Sequence, residues 1–273
     1  GRVISMIVLE SVADFQAWRQ AAPSSRIGFV PTMGALHVGH QSLIEHSVSE
    51  QDLTVLSIYV NPTQFDNADD LLKYPDLLEA DLSIARAAGV DVVFLPSYAE
   101  IYVDEFTYAV DERQISKTLC GAHRDGHFTG VLTVVMKLLN IVRPAAAYFG
   151  EKDYQQFELI RGMARAFFIE AQIIARPTVR ESSGLALSSR NLNLDAKGRS
   201  LAPRLHELIT SAFSDAEVVR RLTELGFVVD YVVTQRGRRF AAARLGEGAN
   251  QVRLIDNVER VSIDQTVSKR VSL

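Results

Sequence analysis

The chain has 273 residues, of which 47% are apolar and 23% charged, and its formal net charge is −4. This composition is typical of a globular protein with a sizeable core, and the absence of a basic tract argues against nucleic acid as the main partner. No apolar run approaches the ~20 residues that a bilayer-spanning helix needs, so no membrane partner is expected. A single cysteine, Cys120, excludes an intrachain disulfide and favours a reducing, cytoplasmic location.

The first two thirds of the chain alternate between predicted strands and helices. Both kinds of element are bounded by glycines, prolines and polar clusters, and the strands carry short apolar runs. Strands alternating with helices predict an α/β fold with a parallel sheet and right-handed crossovers. Residues 6–9 start the domain. The predicted strands are residues 27–30, 54–60, 90–95, 145–149 and 171–175, and the predicted helices are 12–19, 41–48, 75–89, 130–141 and 154–168.

The pattern changes near residue 184 and predicts a smaller α+β segment. We therefore predict two domains, residues 1–184 and 185–273. The predicted elements of the second domain are helices 195–213 and 215–225 and strands 227–233, 239–243 and 252–255. Within it, the basic run 236–239 is interpreted as a solvated turn. At the other end of the chain, no signal peptide is recognised, and the residues before Met6 are interpreted as a processed tag or a trimmed segment.

The segment 31–40 lies between a predicted strand and a predicted helix. Pro31 has no N–H and is expected to end the strand, whereas Gly34 and Gly39 would let the backbone approach a ligand. His37 and His40 are three residues apart, so both rings can face one point at the helix start, where unpaired N–H groups favour phosphate. The alternative is that the two histidines are ordinary polar surface.

Other candidate ligand residues follow predicted strands or lie in loops. Asn61 and Gln64 offer neutral hydrogen bonds for a hydroxyl or a carboxylate. Lys152 offers a point charge for phosphate, and Asp153 could accept from ribose or bind a metal. Taken singly, each has a structural alternative, such as a surface ion pair for Lys152.

Two further groups complete this set. Gln156 lies one helical turn after Lys152, and residues 187–190 offer two hydroxyls and a guanidinium. The serines could equally well cap the loop. Together with the groups above, they describe donors for a polyphosphate and neutral groups for a small polar ligand.

Several kinds of active site are not indicated. Neither a Gly-x-Ser-x-Gly elbow nor a Walker A motif occurs, and Cys120 has no obvious catalytic partner beyond His123 and His127. Zinc held by His37, His40 and His127 remains an alternative, although the first two are better placed for phosphate.

Four segments, in order and spacing, resemble the pantoate–β-alanine ligases (pantothenate synthetases). They are Pro31-Thr32-Met33-Gly34-Ala35-Leu36-His37-Val38-Gly39-His40, Val60-Asn61-Pro62-Thr63-Gln64-Phe65, Phe149-Gly150-Glu151-Lys152-Asp153-Tyr154-Gln155-Gln156 and Gly184-Leu185-Ala186-Leu187-Ser188-Ser189-Arg190-Asn191. A fifth, 253–257, matches as well. The His-x-Gly-His element alone is shared with nucleotidylyltransferases and class I tRNA synthetases, whereas the combination is specific.

The resemblance implies a Rossmann-like, nucleotidylyltransferase-type domain, a smaller C-terminal lid and a homodimer. It implies a Mg²⁺-dependent reaction in which pantoate attacks ATP to give pantoyl adenylate, and β-alanine then displaces AMP to give pantothenate, a coenzyme A precursor. The metal would be held through the ATP phosphates, and no protein ligand to it is assigned.

The same resemblance assigns residues to the two reactants. The implied catalytic residues are His37, His40 and Lys152, with His40 as the proton donor. The implied substrate contacts are Asn61, Gln64, Gln156, Arg124 and His127. The implied ATP contacts are Met33, Gly34, Ala35, Leu36, His37, Val38, Gly39, His40, Gly150, Glu151, Lys152, Asp153, Val179, Leu187, Ser188, Ser189 and Arg190.

The sequence departs from the family pattern in one run, residues 119–128. Cys120 stands where the family has glutamate, and Asp125 where it has proline. Asp125 is expected to loosen the turn between Arg124 and His127 and to pair with Arg124, which would affect substrate affinity more than function.

Two other functions remain open at this stage. A nucleotidylyltransferase that stops after joining a nucleotide to a phosphorylated molecule would need cations where Asn61 and Gln64 lie. A nucleotide sensor without activity would not need the complete set of donors.

Overall fold

The computed structural model describes residues 5–248 and 251–260. The chain forms two compact units, Gly1–Val179 and Arg180–Leu273, each described here by itself. The division lies a few residues before the boundary predicted at 184, because Arg180 pairs with Ala186 and Asp256 of the second unit. Residues 1–4, most of the segment interpreted as a tag, lie outside the described residues.

The first unit contains a six-stranded sheet in which every pairing is parallel, in the order β1-β4-β3-β2-β5-β6. This confirms the predicted α/β class with a parallel sheet. Chain order moves from β2 to β3 and β4 on one side and then returns to β5 on the other. The strands are β1 (Ile7–Leu9), β2 (Ile27–Thr32), β3 (Leu53–Ile58), β4 (Val92–Phe94), β5 (Ala146–Gly150) and β6 (Gln172–Arg176).

Helices cover the sheet and bury its apolar residues. The predicted buried helix is α7, whose apolar side chains are largely inaccessible along its length. Short 3-10 helices occur at Pro62–Gln64, Ile115–Lys117 and Glu151–Asp153. The α-helices are α1 (Val12–Ala21), α2 (Val38–Glu50), α3 (Ala68–Leu72), α4 (Leu78–Ala87), α5 (Tyr98–Ile101), α6 (Cys120–His123), α7 (His127–Val142) and α8 (Tyr154–Ala166).

Proline 31 does not end its strand, contrary to the prediction. The carbonyl of Thr32 accepts from the β3 side, whereas that of Ile27 accepts from the β5 side. Residues alternate between the two sides of a parallel strand, so the missing N–H of Pro31 faces β5. The pairing of β2 with β5 extends only to Phe29, and no ladder hydrogen bond is therefore lost.

The second unit is an antiparallel sheet with helices, as the α+β pattern predicted. The predicted helix 195–213 is in fact two helices, because Pro203 cannot donate to the preceding turn and instead begins a new helix. A 3-10 helix spans Ser189–Asn193. The elements are α9 (Ala196–Leu201), α10 (Pro203–Thr210), α11 (Asp215–Glu224), β7 (Val228–Gln235), β8 (Arg238–Leu245) and β9 (Val252–Glu259), in the sheet order β7-β8-β9.

The basic run 236–239 is only partly a solvated turn. Arg236 and Gly237 have positive φ, as a two-residue hairpin requires. Arg238 and Arg239 are buried, and the guanidinium of Arg239 donates to the carbonyls of Ile209, in the last turn of α10, and of Ser211 and Phe213 after it. The run therefore contributes structural contacts that its charge pattern did not indicate.

Within 5–248 and 251–260, no helix combines the length and apolarity that crossing a membrane would require.

Candidate functional site

The predicted phosphate-binding residues of the first unit lie where β2 and β5 end. These adjacent strands flank the point at which chain order reverses across the sheet, and open α/β sheets bind ligands at such a point. The turn before α2 follows β2, and the segment Glu151–Asp153 follows β5. The fold therefore brings the two predicted phosphate-binding segments to neighbouring positions.

The turn between β2 and α2 is held by a carboxylate that sequence reasoning missed. Asp81 of α4 is buried, and its two oxygens accept from the N–H groups of Ala35 and Leu36 at 2.8 and 2.7 Å. Gly34 and Ala35 both have positive φ, and in this turn the consecutive N–H groups of Ala35 and Leu36 point at one anion. Here that anion is the protein's own carboxylate.

The glycines of this turn are required by protein contacts. A Cβ on Gly34 would lie 2.9 Å from a carboxylate oxygen of Asp81, and one on Gly39 would lie 2.8 Å from the His37 ring. The predicted reason, close approach of a ligand, stays a prediction. The glycines allow Asp81 and His37 to fix the backbone that leads into α2.

His37 and His40 lie together at the start of α2, as their spacing predicted, with their ring planes tilted by 42°. Their ring centroids are 4.1 Å apart. Nδ1 of His37 accepts from the Gly39 N–H at 3.1 Å, and Nδ1 of His40 accepts from the His37 N–H at 3.2 Å. A neutral imidazole that accepts at Nδ1 carries its hydrogen on Nε2. Each ring is therefore a hydrogen-bond donor through Nε2.

Burial keeps both rings uncharged near neutral pH. It lowers the pKa of His37 to about 4, with a smaller contribution from the positive charge of Lys152. It lowers the pKa of His40 to about 3, and His37 and Lys152 act in the same direction. The negative charge of Asp153 opposes these effects at both rings. The four side chains thus share one electrostatic environment, as the predicted phosphate site required.

Lys152 supplies the positive charge of this cluster. It lies in the 3-10 helix that follows β5, and its Nζ is 3.7 Å from Oδ2 of Asp153. Gly150, at the end of β5, has open space around the position of a Cβ, so a ligand could approach its backbone. Met33, Val38 and Glu151 lie within the same two segments.

Asn61 positions Gln64. The buried Asn61 side chain donates to Gln64 Oε1 at 2.9 Å and to the Gly130 carbonyl at 3.2 Å. Its oxygen accepts from the hydroxyls of Thr63 and Tyr102 at 2.9 and 2.7 Å. Since both hydrogens and both lone pairs of the Asn61 amide are used, its direct task is to orient the Gln64 amide.

His127 also supports Gln64. Its Nδ1 lies 2.8 Å from the Gln64 carbonyl, which can only accept, so Nδ1 carries the hydrogen and Nε2 accepts from Arg124 at 3.2 Å. Burial, followed by the charge of Arg124, lowers the pKa of His127 to about 4. Arg124 also pairs with Asp66 at 3.1 Å, whereas Asp125, predicted as its partner, is exposed.

Two further side chains of this region were not singled out from the sequence. Tyr102 contacts Asn61 and Thr63 from α5, across a long stretch of chain. Gln155, next to the predicted Gln156, is buried and accepts from the Cys120 N–H while donating to the carbonyls of Ile115 and Thr118. Cys120 is thus held through its backbone. Gln156 is partly exposed in the first turn of α8.

The remaining predicted residues lie elsewhere in the chain. Val179 is the last residue of the first unit, and residues 187–190 belong to the second. Ser188 is an N-cap whose hydroxyl accepts from the Arg190 N–H at 3.3 Å, which is the loop-capping alternative considered for it.

Zinc held by three histidines receives no structural support. His37 and His40 are adjacent, but both ring nitrogens of His127 already have protein partners. In the part of the chain that the structure describes, no group of three or more histidine, cysteine, aspartate or glutamate side chains is placed to hold a metal ion.

Comparison with known proteins gives one consistent result. The profile of the family described as "Pantoate-beta-alanine ligase" matches residues 7–259. The pantothenate synthetase of Bdellovibrio bacteriovorus is 53% identical over 252 residues, covering 92% of this chain and 98% of that protein. The Legionella pneumophila (strain Corby) pantothenate synthetase is 48% identical, covering 86% and 92%. The crystal structure of a Francisella tularensis pantoate-β-alanine ligase, complexed with "Beta-gamma ATP and Beta-alanine", has a TM-score of 0.87 at 41% identity, covering 93% of this chain and 98% of that chain.

Proposed function

This chain belongs to the pantoate–β-alanine ligase family, and from that premise we propose that it condenses (R)-pantoate with β-alanine at the expense of ATP. The products are pantothenate, AMP and pyrophosphate. The observation that carries the proposal is the joint placement of two neutral Nε2–H donors and Lys152 after β2 and β5. The Francisella relative, crystallised with an ATP compound and β-alanine, supports the same two ligands for this chain.

The reaction runs in two steps that leave no covalent bond to the protein. An oxygen of the pantoate carboxylate attacks the α-phosphorus of ATP, and pyrophosphate leaves. The amine of β-alanine then attacks the acyl carbon, AMP leaves, and the nitrogen loses a proton. Because the substrate is the nucleophile, the protein has to align the reactants and stabilise charge on the phosphates.

His37, His40 and Lys152 are proposed to bind those phosphates. The histidines act as neutral donors through Nε2–H, because a ring with a pKa of about 3 or 4 is uncharged at neutral pH. We therefore assign His40 a hydrogen bond to the phosphate oxygens in place of the full proton transfer that the resemblance implied. Two neutral imidazole donors and the single ammonium of Lys152 would thus bind the phosphates of ATP, part of which later leaves as pyrophosphate.

Gln64 and Gln156 are proposed to hold pantoate, which is a hydroxy acid. Gln64 receives a hydrogen bond from Asn61 at its oxygen, so its NH₂ group is the part that can donate to the substrate. The backbone carbonyl of Gln64 accepts from His127, and Arg124 in turn donates to the His127 ring. The pocket thus relies on neutral amides, as a substrate without phosphate requires.

The rest of the nucleotide contacts follow from the family resemblance. We propose that the backbone of 33–36, the segment 150–153, Val179 and residues 187–190 contact ATP. Mg²⁺ would enter on the ATP phosphates, a binding mode that suits this chain since Mg²⁺ commonly uses substrate phosphates and few protein ligands. A cytoplasmic homodimer is part of the same proposal and rests on that resemblance alone.

A product assay tests this function directly. The full chain is incubated with ATP, Mg²⁺, pantoate and β-alanine, and AMP and pantothenate are quantified. We expect one AMP per pantothenate and no pantothenate when any substrate is omitted. Transfer of the nucleotide to a phosphorylated acceptor, without AMP release on adding β-alanine, would instead support a nucleotidylyltransferase.

A further inference from the structure

The second unit contains a buried carboxylate for which the proposed reaction has no use. Asp256, on β9, has a side chain that is only 3% exposed. Both of its oxygens accept from Arg180, at 2.7 and 2.8 Å, and Oδ1 also accepts from the Asn257 N–H at 2.7 Å. Nδ1 of His206 lies 3.3 Å from Oδ2. Such a bidentate ion pair fixes the plane and position of the Arg180 guanidinium.

Arg180 uses a third contact to hold a turn of the chain. Its Nη1 also donates to the carbonyl of Gly184 at 3.1 Å. The turn is closed by hydrogen bonds from the Gly184 N–H to Glu181 and from the Glu181 N–H to Leu185, each at 2.9 Å. Gly184 has a φ of +89°, and a Cβ there would lie 2.8 Å from the His206 ring. Arg180 and His206 therefore fix the backbone conformation of this turn.

The outgoing arm of this turn leads directly into the Ser188–Arg190 segment. Ala186 pairs with Arg180 across the turn, and its carbonyl accepts from Asn191 Nδ2 at 3.0 Å. The Asn191 N–H donates to the carbonyl of Ser188, also at 3.0 Å. Ala186 thus joins the Ser188–Arg190 segment to Arg180. A displacement of Arg180 would therefore displace both ends of the segment.

We propose that Asp256 is a positioning residue of the ligation reaction, which fixes the Ser188–Arg190 segment for ATP through Arg180. The inference rests on the proposed function, since it takes these residues as nucleotide contacts. Asp256 itself touches no reactant. Asp256 fixes the position of the Arg180 guanidinium, which in turn fixes the backbone of the turn at 181–184. The turn then fixes the positions of the Ser188 and Ser189 hydroxyls and of the Arg190 guanidinium.

The chain offers a matched control for this effect. Asp230 is a second buried carboxylate of the same unit, with a side chain 5% exposed, and it pairs with Arg244 at 3.0 Å and Arg253 at 2.7 Å. Both partners belong to the sheet, Arg244 to β8 and Arg253 to β9, and neither is part of the turn at 181–184. Asp230→Asn therefore removes a comparable buried charge without acting on Arg180.

The test compares Asp256→Asn with Asp230→Asn in the full chain. We expect Asp256→Asn to raise the KM for ATP about tenfold while the KM for pantoate stays within twofold, and to speed amide hydrogen exchange in residues 184–191. Asp230→Asn should lower the melting temperature by a similar amount and leave both KM values and this exchange unchanged. Equal rises of the ATP KM in both variants, or no rise in either, would overturn the proposal.

Three more variants keep the test decisive. If Asp256→Asn does not fold, Arg180→Lys replaces it in the test. This variant keeps the positive charge but loses the bidentate contact with Asp256, and it should raise the KM for ATP in the same way. The double variant Arg180→Lys/Asp256→Asn should have a KM for ATP no higher than the higher of the two single variants, because both substitutions break the same contact. Additive effects on this KM would contradict the proposal. Arg190→Ala separates the hypotheses, since a raised ATP KM there with an unaffected Asp256→Asn would refute only the role of Asp256.

Discussion

The hydrogens on Nε2 of His37 and His40 are the feature of single residues that matters most for phosphate binding. His40→Asn keeps an acceptor near the Nδ1 position for the His37 N–H but removes the Nε2–H donor. We expect adenylation to slow ~100–1,000-fold, the usual loss for one such donor, with pantoate affinity little changed. Lys152→Ala should behave in the same way because it removes the positive charge.

Rapid-quench measurement of a single turnover checks this result, and calorimetry reports pantoate affinity. His46→Ala, in the same helix, and Lys117→Ala, an exposed lysine paired with Asp111, are the matched controls and should retain the wild-type rate. Near-normal adenylation by His40→Asn and Lys152→Ala would refute the assignment of these residues.

Gln64 should determine the pantoate requirement and not the ATP requirement. Its amide carries no charge and lies in the 3-10 helix after β3, whereas the phosphate donors follow β2 and β5. We expect Gln64→Ala to raise the KM for pantoate at least tenfold with ATP affinity within twofold, and the exposed Gln172→Ala to change neither. Calorimetry that shows weaker ATP binding with unchanged pantoate binding would contradict this role.

His127 should make the protein sensitive to acid. Its pKa is about 4 in the folded chain against about 6.5 for an ordinary histidine, so the unfolded chain binds the proton first as the pH falls. The stabilisation from the neutral ring is therefore complete above pH 6.5 and is lost towards pH 4. At pH 5 the loss is about 2 kcal/mol.

Urea unfolding of the wild type and of His127→Asn at pH 8 and pH 5 measures this difference. Asparagine does not titrate in this range and keeps a donor near the Nδ1 position. We expect the wild type to lose about 2 kcal/mol more than the variant between the two pH values. An equal loss in both proteins would show that His127 is not held neutral by burial.

At the scale of elements, Asp81 links α4 to the turn before α2. Asp81→Asn keeps the shape but replaces one acceptor oxygen by an NH₂ group, which cannot accept from the Ala35 or Leu36 N–H. We expect a loss of about 1–3 kcal/mol in the free energy of unfolding, from a buried donor left without an acceptor, and slower adenylation because the approach to His37 is disturbed.

Chemical denaturation and single-turnover adenylation of Asp81→Asn measure the two effects. Asp76→Asn, a substitution at an exposed position just before the same helix, is the control and should alter neither. A stable variant with a normal adenylation rate would show that the turn keeps its course without this carboxylate.

The order and type of the main elements of the first unit could be predicted from sequence because they depend on local patterns. Apolar runs marked β3 and β5, and the spacing of His37 and His40 placed both rings at one helix start. What could not be predicted depends on contacts between distant residues. Asp81 reads as part of the exposed face of an amphipathic helix until the fold brings the Gly34–Leu36 backbone to it.

The second unit shows the same limit. Arg238 and Arg239 look like solvent-exposed charges in the sequence, and only the hairpin and the end of α10 reveal their burial. Pro203 was a local signal for a new helix that the longer apolar pattern concealed. The roles of Val179 and residues 187–190 stay predictions, since they came from the family resemblance.

For the whole molecule, the formal net charge of −4 opposes the approach of two anionic substrates, ATP and pantoate. Binding must then depend on local donors, and the structure concentrates them after β2 and β5 while the amides of Asn61 and Gln64 remain neutral. This division predicts that the site binds a nucleotide at the donors after β2 and β5 and a hydroxy acid without phosphate at the neutral amides. It also predicts that an acyl adenylate forms before the amine is needed.

Isotope exchange between pyrophosphate and ATP tests this central claim most directly. The enzyme is mixed with ATP, Mg²⁺, labelled pyrophosphate and pantoate in the absence of β-alanine. We predict that label appears in ATP, that omitting pantoate abolishes the exchange, and that adding β-alanine releases AMP. Exchange that does not need pantoate, or that requires β-alanine, would contradict the stepwise adenylation proposed here.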